Sequence, residues 1–231
     1  MHRRFTPIVW LKDANYRAYL VGNQTRNKLL GGDYDPNDID IATNAHPKIV
    51  GSILRRQGII PTHTNDSFGV VSFIWQDSAY EIVTFREDIY DEQFDHIKRA
   101  PKQIIFIDDL EQDALRRDFT INAIYWDPAV GKMFDPVGGK ADLAAKLIRL
   151  IGDADLRLKE DPIRILRAIR FKYDLGFKYE RLTAAAINRQ AKLVHKLPTA
   201  VLKREFQKIQ DLPRYAFARK EMQKLKIVGR F

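Results

Sequence analysis

The stretch YLVGNQTRNKLLGGDYDPNDIDIAT, residues 19–43, runs from an apolar β-type segment through a glycine turn into a helical stretch. A loop rich in Gly, Asp, Pro and Asn then leads into a second β-type segment. In a strand, residues i and i+2 share a face, so Asp38 and Asp40 project together while Ile39 and Ile41 turn to the core. Two carboxylates so close repel unless a divalent cation lies between them, and hard oxygen ligands favour Mg²⁺. A dozen residues earlier, the strand–turn–helix passage at Gly22, Asn23 and Arg26 offers backbone N–H groups and a guanidinium to a phosphate. The same residues also fit an ordinary polar loop and a surface arginine.

Outward from this stretch, GVVSFIW, YEIVTF and KMFDP read as further strands, and HPKIVGSILRRQG as a helix capped by Thr43 or Asn44 with Pro47 in its first turn. Alternation in YEIVTF places Glu81 with Val83 and Phe85, where an acid calls for a partner such as a carboxylate–metal cluster. A surface glutamate on an edge strand reads the same way. Beyond about Gly152 the β signals stop. EDPIRILRAIRFKYDLGF, RLTAAAINRQAKLVHKL, TAVLKREFQKIQ and PRYAFARKEMQKLK read as amphipathic helices separated by Gly176, Pro198 and Pro213. The expected fold class is α+β, with a mixed-sheet head over residues 1–150 and an all-helical extension over 151–231.

The chain has 231 residues, 45% hydrophobic and 30% charged, enough to bury a core of one or two domains. No apolar run approaches the roughly 18 residues of a membrane span, and the N-terminus lacks the apolar stretch of a signal peptide. The absence of cysteine excludes disulfides, thiolate zinc sites and a cysteine nucleophile, and fits a cytoplasmic protein. The net charge of +9 is unevenly spread: from Arg181 onward thirteen bases face three acids, a net of +10 that leaves the first 180 residues at −1. Such a basic tail half suits a polyanion, although a cationic solvated surface has the same composition.

YLVGNQTRNKLLG with DPNDIDIATNA, then EIVTFRED, LRRDFTINAIYWDP, FDPVGGKADL and KEDPIRILRAIRF, in this order, resemble the motifs of the class II CCA-adding tRNA nucleotidyltransferases. These belong to the polymerase-β-like nucleotidyltransferase superfamily, together with bacterial poly(A) polymerases. The resemblance, over roughly residues 16–180, implies a polymerase-β-like head followed by a helical neck. It implies addition of CCA, or part of it, to tRNA 3′ ends from CTP and ATP, with release of pyrophosphate. It also implies that Asp38 and Asp40 hold Mg²⁺ with Glu81 as a third carboxylate, and that Gly22, Asn23 and Arg26 contact the triphosphate. Arg117, Asp118 and Asn122 would orient the sugar, Asp161 and Arg164 would read the base edge, and Arg167 and Arg170 would support them.

The residues suit these roles. Asp161, Arg164, Arg167 and Arg170 recur at intervals of three, which predicts a sloping ridge of one acceptor and planar donors along a helix. Asp161 before Pro162 also reads as a helix cap. Lys203, Arg204 and Lys208 are the predicted contacts to the acceptor stem. The family's usual second glycine is Asn23 here, the acid that usually follows its arginine is Asn27, and Val201 and Leu202 stand where a Glu-Arg pair often begins a helix. A poly(A) polymerase and a non-catalytic tRNA-binding relic are the alternatives, and only an active enzyme predicts Mg²⁺-dependent incorporation of nucleotide.

Overall fold

A computed structural model describes residues 3–32, 35–90 and 101–227. The chain divides into two compact units, one built from 1–89, 103–117 and 121–140 and the other from 90–102, 118–120 and 141–231.

The first unit is organised by a mixed sheet. Its strands are β1 (Ala18–Leu20), β2 (Ile39–Thr43), β3 (His63–Asn65), β4 (Val70–Trp75), β5 (Ser78–Thr84), β8 (Tyr125–Asp127) and β9 (Lys132–Phe134), in the order β3-β4-β5-β2-β1-β8-β9. Within this sheet only β2 and β5 pair in parallel; the other neighbours are antiparallel. The intervening β6 (Arg86–Ile89) and β7 (Gln103–Phe106) form a separate antiparallel ribbon. Alternation sets which side chains are buried. Ile39, Ile41, Val71, Phe73, Tyr80 and Ile82 join Leu20 in the core, beside Ile8 and Leu11 of α1 (Thr6–Asp13) and Val50 and Leu54 of α3 (Pro47–Arg56). Each such side chain contributes about 1.5–3 kcal/mol through burial. The opposite face carries a polar row, because the register sets His63 beside Ser72, Ser72 beside Glu81 and Glu81 beside Asp40.

Two short helices, α2 (Asn23–Leu29) and α4 (Leu110–Leu115), belong to this unit, and α5 (Gly139–Ala144) begins where the chain passes to the second. The cap of α3 differs from expectation. His46 holds the N-cap position, its Nδ1 accepting the Lys48 N–H at 3.4 Å, while the Thr43 hydroxyl stays in β2 and takes the Ala45 N–H.

The second unit is mainly helical: α6 (Ala154–Glu160), α7 (Ile163–Leu175), α8 (Arg181–Gln190), α9 (Thr199–Gln210) and α10 (Tyr215–Lys224). It is not purely so, since β10 (Leu147–Ile148) and β11 (Lys178–Tyr179) form a short parallel pair, the second lying beyond Gly152. Two other expectations shift. EDPIRILRAIRFKYDLGF is broken at Asp161, held extended by the following proline, so α6 ends and α7 begins around it. RLTAAAINRQAKLVHKL is α8 followed by a 3₁₀ turn at Ala191–Lys196. Gly176 ends α7 in the left-handed region at φ 70°, the usual glycine stop. Ile165, Leu166, Ala168 and Ile169 of α7 are fully buried, and α9 and α10 pack against this helix.

Candidate active site

In the first unit, β1 leaves the sheet at Gly22, which has φ 73° and ψ −137°. A Cβ on that residue would lie 2.7 Å from Asp40 Oδ2 and would be strained at this positive φ, so glycine suits the close approach of the turn to this carboxylate. The next residue reaches the other carboxylate: Asn23 Nδ2 donates to Asp38 Oδ2 at 2.5 Å. Asp38 precedes β2 rather than lying in it, so the pair is joined less by strand alternation than by this shared approach to Gly22 and Asn23. Gln24, 1% exposed, fixes the loop between them, since its Nε2 donates to the carbonyls of Asp35 and Asp38.

Glu81 lies beside Asp40 across the parallel β2–β5 register. Partial burial, and then the Asp38 carboxylate, raise its pKa above the ordinary glutamate value. Its face is the polar one, whereas Phe85, expected on the same side, is fully buried beyond the strand's end. Among the described residues no group of three or more His, Cys, Asp and Glu side chains is arranged to hold a metal ion. Two carboxylates nevertheless suit Mg²⁺, which commonly takes one or two of them and completes its octahedron with water and substrate phosphates. Asn23 Oδ1 adds a hard oxygen that is sealed from solvent and has no hydrogen-bond partner.

Two sequence-distant candidates meet in the same unit. Arg26 is 5% exposed and its Nη1 donates to Asn122 Oδ1 at 2.5 Å, so the expected phosphate-binding arginine is packed against the expected sugar-binding asparagine. Arg117 is anchored in a buried network. Its Nη2 and Nε donate to Asp113 Oδ2 at 3.0 and 3.3 Å, its Nε also to the Tyr125 hydroxyl at 2.8 Å, and Arg116 Nε reaches Asp113 Oδ1 at 2.8 Å. Burial alone would raise the Asp113 carboxyl, but Arg116, Arg117 and the Tyr125 hydroxyl outweigh it and hold the group at about 2. The neighbouring tyrosine is pushed upward, chiefly by burial.

The second unit holds the remaining candidates. Asp118 Oδ2 accepts from Arg167 Nε at 2.7 Å and Nη2 at 2.6 Å. Pro162, not Asp161, holds the N-cap position of α7, but Asp161 Oδ1 accepts the Ile163 N–H at 3.2 Å just ahead of it while also facing a cavity of about 430 Å³. Arg167, Val201, Arg204, Glu205 and Lys208 share that lining. The ridge predicted from the spacing is therefore divided. Arg164, 6% exposed, is not part of the lining: its Nη1 donates to the Arg157 carbonyl at 2.7 Å and Glu160 Oε2 at 3.0 Å. Arg170 is held by Glu205 at 2.6 Å, with its guanidinium over the Phe171 ring. Arg204 and Lys208, expected to face RNA, line the same cavity as Asp161, whereas Lys203 does not.

Comparison with known proteins identifies the family. The model of the poly A polymerase head domain matches residues 18–149. The chain belongs to this family. It is 38% identical over 199 residues to a CCA-adding enzyme of Latilactobacillus sakei, covering 86% of this chain and 47% of that one. A CCA-adding enzyme of Geobacillus stearothermophilus is 36% identical over 202 residues, covering 87% of this chain and 47% of the relative. The chain thus spans about half the length of the relatives it matches. The fold matches a crystal structure of the Bacillus stearothermophilus CCA-adding enzyme in complex with CTP, with TM-score 0.84, 32% identity and coverage of 98% of this chain and 53% of that one. A tRNA nucleotidyltransferase complexed with a primer tRNA and an incoming ATP analog matches with TM-score 0.77, 27% identity and coverage of 97% and 63%.

The sequence reading missed Gln24, Asp113, Tyr125 and Glu205, the buried or half-buried groups that hold the candidates in place. Only Asp113 left a trace, as an acid three and four residues before Arg116 and Arg117 on one helix face.

Proposed function

We propose that this chain is a template-independent RNA nucleotidyltransferase that adds CCA, or part of it, to tRNA 3′ ends from CTP and ATP, releasing pyrophosphate. The observation that carries the proposal is the approach of Asp40 to the glycine turn at Gly22 and of Asp38 to the neighbouring Asn23 amide. The 3′-hydroxyl oxygen attacks the α-phosphorus of the nucleotide, a P–O bond forms, and the bond to the β-phosphate oxygen breaks. Asp38 and Asp40 would hold Mg²⁺, with Glu81 beside them. When bound, the ion supplies charge neutralisation on the triphosphate and activation of the hydroxyl. The protein's own contribution is positioning.

The head over residues 1–150 supplies the carboxylates and the phosphate turn; the neck over 151–231 supplies base and RNA contacts. Arg117, in its network with Asp113, and Asp118 bear on the sugar. Arg26 and Asn122 act as one unit behind the phosphate turn. Asp161 and Arg167 contact the base in the cavity of the second unit, where Arg204 and Lys208 add positive charge for the incoming nucleotide, while Lys203 remains an RNA contact. Arg164 and Arg170 support these residues from behind, through Glu160 and Glu205. Among the described residues no helix is long and apolar enough to cross a membrane, and a cytoplasmic location is the reading that goes with a tRNA substrate.

The test is incubation with tRNA lacking CCA, labelled CTP or ATP, and Mg²⁺. Products one to three nucleotides longer support the assignment, long adenosine tails indicate a poly(A) polymerase, and no extension refutes catalysis.

A further inference from the structure

A second cavity of the helical unit lies at the other end of α7 from Asp161, with a volume of about 440 Å³. Its walls come from α7, β11, α8 and α10. Along α10, Phe217, Lys220, Glu221 and Lys224 recur at helical spacing and so present one face, and all four line the cavity. Lys172 and Tyr173 of α7 close the side: Lys172 Nζ and the Tyr173 hydroxyl both donate to Glu221 Oε2 at 2.6 Å. The Lys172 ammonium also stands over the Tyr179 ring, 4.5 Å from its centroid.

The lining has two features that a merely structural cleft does not need. Phe217 is 62% exposed, a large ring held at the mouth with no cover. Lys220 and Lys224 make no ion pair among the described residues, so with Lys172 matched to the single carboxylate of Glu221 the lining keeps a net charge of +2. An exposed ring beside two free ammonium groups suits a flat heterocycle that carries a phosphate.

We propose that this cavity binds one unpaired nucleotide of the RNA strand, its base stacked on Phe217 and its phosphate held by Lys220 and Lys224. The incoming nucleotide has a separate cavity at the N-terminal end of α7, so this site belongs to the polynucleotide. The inference rests on the reading of the chain as an enzyme that acts on RNA.

The experiment measures binding of a fluorescein-labelled acceptor-stem minihelix, ending in an unpaired nucleotide, to the full chain by anisotropy, without CTP, ATP or metal. Phe217→Ala should raise Kd five- to a hundredfold, the range for loss of one base stack. In Lys220→Ala/Lys224→Ala the slope of log Kd against log salt should fall by about 0.7 for each phosphate that is no longer neutralised. A minihelix carrying 4-thiouridine at the unpaired position should photocross-link to Phe217 or Tyr179. Unchanged Kd and salt slope in these variants, or a cross-link confined to other residues, would overturn the proposal. Because no nucleotide is added in the assay, the two ideas fail separately. Tight, Phe217-dependent binding without any incorporation would refute catalysis alone, and incorporation with a Phe217-independent Kd would refute this site alone.

Discussion

Removing the Asp113 carboxylate tests how Arg117, the arginine proposed to bear on the sugar, is held. The side chain is fully buried, receives Arg116, Arg117 and the Tyr125 hydroxyl, and takes the Arg86 backbone N–H at 3.2 Å. Held at about 2 rather than the ordinary 3.8, its carboxyl favours the folded state by about 2.5 kcal/mol near neutral pH. The folded-state pKa is the lower one, so this contribution is complete above about pH 4 and is lost as pH falls through about 2. Asp113→Asn keeps an acceptor but no charge and should lose about 2–3 kcal/mol at pH 7. Asp113→Ala takes this buried carboxylate away from two half-buried guanidinium groups and should lose about 3–5 kcal/mol. Urea midpoints at unchanged m-value measure both losses. The gap between wild type and Asp113→Asn should narrow as pH falls from 5 toward 3. A loss under 1 kcal/mol, or a gap constant with pH, would refute the reasoning.

Three further outcomes follow from the geometry. Gly22→Ala puts a methyl against Asp40 Oδ2 at positive φ, so nucleotide incorporation should collapse with a stability loss of only about 1–2 kcal/mol, read by product gel and melting together. Asp161→Ala should lose about 1 kcal/mol of helix capping and also blur the choice of CTP and ATP over UTP and GTP by ten- to a hundredfold, both measured on one sample; intact selectivity would reduce Asp161 to a cap. Arg204→Glu should raise the KM for nucleotide with little change in RNA affinity, and Lys203→Glu the reverse, as steady-state kinetics and minihelix binding would show; equal effects of the two would remove Arg204 and Lys208 from the nucleotide's cavity.

The strands β1, β2, β4, β5 and β9 and the main helices were legible because their periodicity and their Gly and Pro breaks are local, whereas the cap of α3 was not. The turn at Gly22 was legible as a motif, but the reason for its glycine was not, since Asp40 reaches it only once β1 and β2 pair. Arg26 and Asn122 read as separate ligands although burial makes them one hydrogen-bonded unit across 96 positions of sequence. The spacing of Asp161, Arg164, Arg167 and Arg170 promised one ridge, but Pro162 sets Asp161 outside the helix and Glu160 draws Arg164 into the packing. Periodicity specifies a face, and only tertiary partners decide which arginines on it remain available. The charge excess beyond Arg181 was legible as a sum but not in its division between two cavities.

The most direct measurement is incorporation of labelled CMP into tRNA lacking CCA by wild type and by Asp40→Ala, with circular dichroism to confirm that both are folded. The account predicts Mg²⁺-dependent extension by the wild type and a fall of about 10³-fold or more in the variant, because Asp38 alone cannot neutralise and hold the triphosphate. Extension by folded Asp40→Ala within about tenfold of wild type would contradict it.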